Sequence, residues 1–284
     1  MNGRTLVLFG ANGRLGQAVA AIAAQRGLNV QTMSWTDAGT AADVDGRAVF
    51  ARLAAIKGDI DLVFAGGVSN PGAAEATLML ANVDRPVSVI ESTREDPRYR
   101  YLTIGSVMET FADLAASNRY LGSKAALWRR VETLANDPRR RGQFVHLRGH
   151  TFYGGRPASH SFLGQLYTSL RTRQPFPMSA GDQLREYMHV EDVARSIVAL
   201  LARDWRKFLT FDLSTGEPIT LRDLATAVFS AFQCNELLRL GALPTPPGEN
   251  KGQRFPRSPD WLLGRPRAPV EGIIKWLSAL LERS

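Results

Sequence analysis

The sequence predicts an α/β fold, a doubly wound parallel sheet with a smaller, mostly helical carboxyl lobe. Three observations predict it. Strand-like and helix-like segments alternate through the first half of the chain. The glycine turn Gly10-Ala-Asn-Gly13-Arg-Leu-Gly16 joins the first apolar run to an Ala-rich helix. After Arg148 the alternation stops. Repeated βα units require parallel pairing, with helices covering both faces of the sheet.

Taken in order, Thr5–Phe9 is a short apolar run closed by a glycine and reads as a strand. Leu15–Arg26 follows as a helix, Val30–Ser34 as the second strand and Arg47–Ile56 as the second helix. Leu62–Ala65 is a third strand before Gly66-Gly67, and Ala73–Thr93 is one long helical region. Tyr101–Ile104, Tyr120–Ala135 and Gln143–Arg148 continue as strand, helix and strand. Gly154–Gly181 reads as loop and helix, and Gly241–Asp260 is rich in proline and glycine. Between them lie the helix Glu191–Arg203, the strand Leu209–Leu213 and a helix opened by Thr220, with Asp223 in the place of a capping-box partner. An apolar stripe makes Val270–Leu281 the last helix. The expected division is a first domain over residues 1–152, with 186–213 returning to it, and a lobe built from 153–185 and 214–284.

Composition narrows the class. With 284 residues, 44% apolar and 22% charged, the chain can bury a sizeable core. No segment has the length of a membrane span and the first residues lack a signal-peptide pattern, so a cytoplasmic protein without a membrane partner is expected. The single cysteine, Cys234, excludes an internal disulfide. The net charge of +8 fits attraction to an anionic ligand. It fits equally an arginine-rich solvated surface, and Arg139-Arg140-Arg141, in an evident loop without interleaved aromatics, argues against a nucleic-acid partner. The four histidines do not cluster at metal-ligand spacing, so no metal is expected.

The glycine turn carries the first chemistry. A strand, a tight turn and a helix in that order build a dinucleotide site, because glycines let backbone and pyrophosphate approach and the helix N-terminus offers unpaired N–H groups. Gly10, Asn12, Gly13, Arg14, Leu15 and Gly16 are the candidate cofactor contacts. The second signal is Tyr120-Leu-Gly-Ser-Lys124, which sets a phenol and an ammonium on one helix face. A free phenol titrates near 10, and an adjacent cation favours its ionised form, giving a general acid/base for a carbonyl or hydroxyl. Ser106 follows the strand Tyr101–Ile104 at the sheet edge where ligands bind, with its hydroxyl available to orient a substrate oxygen.

Together, Gly10/Gly13/Gly16, Ser106, Tyr120 and Lys124, in that order and spacing, resemble the short-chain dehydrogenase/reductase superfamily. The extended branch, with its nucleotide-sugar epimerases, dehydratases and reductases, is the closer match. Arg185-Glu-Tyr-Met-His-Val-Glu-Asp-Val-Ala194, Leu147–Gly154, Phe211–Thr220 and Leu263–Arg267 are similar to its later segments. The resemblance implies a Rossmann-like fold and a role for each matching residue. Tyr120 would be the acid/base, Lys124 would tune it and hold the nicotinamide ribose, and Ser106 would position the substrate. Ala65, Gly66 and Gly67 would pass beneath the cofactor ribose, Asp43 and Val44 would flank the adenine, and Asn82 would support the site. His150 would lie near the nicotinamide, and Tyr153 and Arg185 would meet the substrate, Arg185 at a pyrophosphate. A homodimer through the helices near Asn82–Thr93 and Tyr120–Ala135 is also implied.

Ser34 stands where an acidic residue usually holds the ribose of NAD, which favours NADP(H) over NAD(H) unless Asp37 takes that place. Glu109 falls one position too late for the Asp-Glu pair of the branch's dehydratases, and Cys234 lies outside the region where the 3,5-epimerase/reductases carry theirs. The expected activity is reduction of a nucleotide-activated 4-keto-6-deoxy sugar. A C4 epimerase with tightly held NAD and a non-catalytic dinucleotide-binding regulator are the alternatives.

Overall fold

The computed structural model describes residues 3–35, 47–140, 142–205, 208–245 and 252–283. The chain forms two compact units, one from Met1–Gly149 with Ala194–Asp212, the other from His150–Val193 with Leu213–Ser284.

The first unit is built on β1 (Arg4–Phe9), β2 (Asn29–Met33), β3 (Asp59–Phe64), β4 (Tyr99–Ser106) and β5 (Gln143–Gly149), with Leu209–Leu213 as the sixth strand. Their order, starting from the sixth strand, is β5-β4-β3-β1-β2, and β2-β1, β1-β3, β3-β4 and β4-β5 all pair in parallel. The chain runs from β1 outward to β2 and then crosses back to β3. The strand order therefore reverses between β1 and β3, the place where sheets of this kind bind ligands at their carboxyl ends. All eight residues of β4 are buried, as a central strand covered on both faces requires.

Among the described residues, helices of this unit include α1 (Arg14–Gln25), α2 (Arg47–Ala55), α3 (Glu75–Met79), α4 (Arg85–Thr93), α5 (Ala112–Ser117) and α6 (Arg119–Ala135). The region expected as one helix over Ala73–Thr93 is interrupted by a π-helical turn at Leu80–Asp84. Pro86 explains the break: it has no N–H for the carbonyl of Asn82, and its ring crowds that oxygen. The core on this side joins Phe9, Leu62, Phe64, Tyr101 and Phe144 to Val87, Ile90, Leu127 and Val131 of α4 and α6.

At the amino-terminal edge of the strands, the buried guanidinium of Arg100 grips both oxygens of Asp61 at 2.7 and 2.6 Å. It also donates to the carbonyls of Leu201 and Arg203 and lies 4.5 Å from the centre of the Trp205 ring. The bond to Leu201 takes up a carbonyl in the last turn of the helix Val190–Leu201.

In the second unit, the helices Phe162–Thr172, Leu221–Ala231 and Pro269–Leu281 pack through Leu166, Leu224, Phe229, Ile273 and Leu277. Thr220 caps its helix, its hydroxyl accepting from the N–H of Asp223 at 3.0 Å. Among the described residues, no helix is long and apolar enough to cross a membrane.

Candidate active site

The glycine turn closes the carboxyl end of β1. Gly10 has φ +82°, and a Cβ there would lie 2.3 Å from Cα and N of Gly66 at the end of β3. No other residue type allows both the turn and this approach of two strand ends. A Cβ on Gly16 would lie 2.1 Å from the carbonyl oxygen of Gly10, so this glycine seats α1 against the turn. Gly13 differs. It is exposed, and a Cβ there would meet only the Gly10 oxygen, at 3.3 Å.

Gly13 is the N-cap of α1, with no side-chain cap and no acidic residue in the first turn. The helix N-terminus thus keeps its N–H groups for an anion, and the bare glycine lets one come close. Asn12 is exposed, Arg14 is half-buried and Leu15 is buried, so Leu15 has only its backbone to offer. The turn fits a dinucleotide pyrophosphate.

Ser34 follows β2 and is half-buried. The next residue, Trp35, stacks on Phe9 at 4.8 Å, with the Arg85 guanidinium 5.6 Å from a Trp35 ring. Asp43 and Val44, expected at the adenine, lie outside the described residues, as does Asp37.

Ala65, Gly66 and Gly67 follow β3 directly, with the two glycines exposed. Asn82, 2% exposed, sits in the π turn and holds the same loop. Its Oδ1 accepts from the N–H of Val68 at 2.8 Å, and its Nδ2 donates to the carbonyl of Val68 and to Ser123 Oγ, both at 2.9 Å. Ser123 Oγ in turn donates to the carbonyl of Tyr120 at 2.7 Å. Both amide hydrogens are taken by protein atoms, so Asn82 ties the loop after β3 to α6 and has no N–H left for a cofactor.

Tyr120 and Lys124 occupy the first two turns of α6, which Asn118 caps by accepting the N–H of Leu121. Lys124 Nζ donates to the carbonyl of Ile104 in β4 at 2.9 Å and lies 5.9 Å from the centre of the Tyr120 ring. This bond brings the ammonium to the strand end that carries Ser106. The expected acidification of the phenol is not found. Burial pushes Tyr120 up to about 12, and the nearby Glu109 carboxylate adds to the rise. Burial also brings Lys124 down to about 8, with Glu109 opposing the fall. Desolvation penalises phenolate and ammonium alike, and the charge acting on both is an anion.

Ser106 is 9% exposed and caps the 3₁₀ turn Val107–Thr110, its Oγ accepting from the N–H of Met108 at 3.2 Å. That bond occupies a lone pair and leaves the hydroxyl proton free to be donated.

The second unit holds the other expected contacts. His150 is nearly buried, edge-on to Phe255 at 4.9 Å, with Nε2 3.7 Å from Glu186 Oε1. Arg185 is half-buried and donates to the carbonyl of Leu184 at 2.9 Å. Tyr153 has no exposed surface: its ring packs on His189 and Trp276, and its hydroxyl is directed at Gly272, where a Cβ would lie 2.0 Å away. The expectation that it meets a substrate is therefore corrected. Tyr153 is a core residue.

A model described as the NAD dependent epimerase/dehydratase family matches residues 6–208. The chain belongs to this family. No curated protein matches it. Among solved structures, it resembles MoeE5 in complex with UDP-glucuronic acid and NAD, with a TM-score of 0.79 and 15% identity over 99% of this chain and 100% of that one. The UDP-glucose 4-epimerase of Thermus thermophilus, in complex with NAD, gives 0.73 and 18%, over 96% and 98%. The UDP-glucuronic acid 4-epimerase from Bacillus cereus, in complex with UDP-glucuronic acid and NAD, gives 0.76 and 14%, over 98% and 99%. At these identities the likeness establishes the Rossmann-like fold.

Within this epimerase/dehydratase chain, sequence reasoning passed over Glu109, treating it only as a misplaced dehydratase acid. Ser106-Val-Met-Glu109 is the S-x-x-E pattern of a capping box, and both of its reciprocal bonds are present. His146, in the middle of β5, gave no signal of its own. It is buried in hydrogen-bond contact with Glu109.

Proposed function

We propose that the chain is an NAD-dependent epimerase of a nucleotide-activated sugar, acting at C4. One observation carries the reading. The bond from Lys124 to Ile104 draws α6 to the end of β4, which supports a site where the ammonium, with the Tyr120 ring 5.9 Å away, serves the strand end that carries Ser106. The likeness along nearly the whole chain to structures that hold NAD and UDP-sugars supports it.

The turn Gly10–Gly16 would hold the pyrophosphate and Lys124 the nicotinamide ribose. Held there, NAD would supply a reversible hydride acceptor for the sugar carbon. Tyr120, brought to its phenolate by the positive charge that bound NAD would add, would take the proton of the substrate hydroxyl and later give it back, so no net acid or base is consumed. Ser106 donates to the same oxygen and holds it toward the phenol. Arg185 is the proposed partner of the pyrophosphate of the nucleotide sugar, suited by its planar fork. Glu109 is turned inward against His146, which argues against its use as a dehydratase acid.

Reduction of a keto sugar with NADPH is the second reading, favoured by Ser34 in the usual acidic position and by Arg85 over the adjacent Trp35. Denaturing the purified protein and identifying the dinucleotide released separates the two. Near-stoichiometric NAD, with interconversion of UDP-sugar epimers in the absence of added cofactor, is expected. A protein free of dinucleotide that oxidises NADPH with a keto sugar would establish the reductase instead.

A further inference from the structure

We infer that the buried Glu109–His146 pair is a positioning device that fixes Ser106 for its contact with substrate. The inference rests on the role proposed for Ser106 above. The bonds form a closed set. Glu109 Oε2 accepts from the N–H of Ser106 at 2.9 Å, and Oε1 lies 2.8 Å from His146 Nε2. On the far side of the ring, His146 Nδ1 lies 2.7 Å from Thr103 Oγ1. With Glu109 as a carboxylate, Nε2 carries the donated proton, and Thr103 fixes the plane of the ring. Ser106 Oγ is held as well, by the N–H of Met108. Main chain and side chain of one serine are therefore both anchored, and its O–H alone is left for a substrate.

Packing does not require such a pair. Both side chains have no exposed surface, and burying a carboxylate carries a desolvation cost that two apolar residues of similar volume would avoid. The backbone also makes room for it. A Cβ on Gly105 would lie 2.2 Å from His146 Nε2 and 2.5 Å from Glu109 Oε2, so only glycine lets β4 pass over the pair. The Glu109 charge acts on both Tyr120 and Lys124 of α6, so the pair lies within electrostatic reach of the proposed acid/base.

The test uses the full chain with two variants, the apolar double replacement Glu109→Val/His146→Leu and the conservative Glu109→Gln. In the double variant the Ser106 amide should exchange about 10-fold faster, as loss of one hydrogen bond implies, while the amides of Leu102 and Ile104 keep their rates. Its kcat should fall about 10- to 100-fold with KM and NADH affinity nearly unchanged, because orientation is lost and binding is not. Glu109→Gln retains an acceptor for Ser106 and should recover both the slow exchange and most of the turnover. A double variant with the native Ser106 exchange rate overturns the inference, as does one with native kcat. A wild-type protein that turns over no nucleotide sugar refutes the proposed activity, while the exchange measurement still decides the positioning role by itself.

Discussion

Replacing Asn82 tests how the site is held together. Asn82→Ala removes three hydrogen bonds from a side chain that is 2% exposed: from Val68 N–H, to the Val68 carbonyl and to Ser123 Oγ. At about 0.5–1.5 kcal/mol net for each bond, the loss is about 1.5–4.5 kcal/mol. For a domain of this size that lowers the melting temperature by about 6–12 °C around the central value. The loop after β3 and the start of α6 lose their common tie, so NADH affinity measured by fluorescence should fall with stability. Asn82→Asp sharpens the test. It keeps an acceptor for Val68 N–H but sets a carboxylate oxygen against the Val68 carbonyl, and Ser123 Oγ already gives its proton to Tyr120. It should therefore be no more stable than the alanine variant. An alanine variant melting within about 2 °C of wild type, with native NADH affinity, would refute this account of Asn82.

Tyr120→Phe should abolish turnover while released NAD stays near stoichiometric, as read by product chromatography and cofactor absorbance. Loss of the cofactor in that variant would assign the phenol to binding. Gly10→Ala combines φ +82° with a 2.3 Å approach to Gly66, and should reduce soluble yield and melting temperature more than Gly13→Ala, which should chiefly weaken NADH binding. Arg100→Ala leaves the buried Asp61 with Arg4 as its cation at 2.6 Å and removes the two charge-assisted bonds from Arg100, which should cost about 1.5–3 kcal/mol in denaturant titration. Lys124, brought down from 10.5 to about 8, gives a pH signature. Between these values the unfolded chain holds more protons at this residue than the folded one. Its contribution therefore makes stability rise from about pH 8 to 10.5, and Lys124→Met should remove that rise from pH-dependent melting curves.

What the sequence made legible follows from where the free energy lies. β1, β3, β4 and β5 are buried along most of their length and each contains a stretch of apolar residues, so burial on both faces shows in composition. The glycine turn was equally plain, because its backbone geometry admits no other residue at Gly10. Segments that depend on distant partners were not visible. The paired strands Thr151–Tyr153 and Tyr187–His189 are three residues each and exist through their mutual pairing. The six-residue α5 is too short to show a period. Asn82 was picked out by resemblance, but the π turn that orients it was hidden. Pro86, four residues on, was the available clue. The misreading of Tyr120 has a different source: spacing along a helix gives the distance to Lys124 and says nothing of how far both are buried, nor of an anion arriving from another turn.

That anion acts beside burial, the larger cause, on the charge state of the site. Glu109 raises Tyr120 and Lys124 together, so it keeps the ammonium charged near neutrality and at the same time makes the phenol a more reluctant acid. In the proposed reaction the same phenol must release and recover one proton within a single turnover, so a charge acting on both groups acts on that transfer. Glu109→Gln removes the charge while leaving an acceptor for the N–H of Ser106. In that variant, ¹³C-detected titrations should show Tyr120 moving down from about 12 and Lys124 moving down from about 8. Two groups of opposite charge type shifting in the same direction is the mark of one lost anion, because a change in burial would drive them apart. Opposite movements of the two would assign the shifts to solvation and remove Glu109 from the electrostatics of the site.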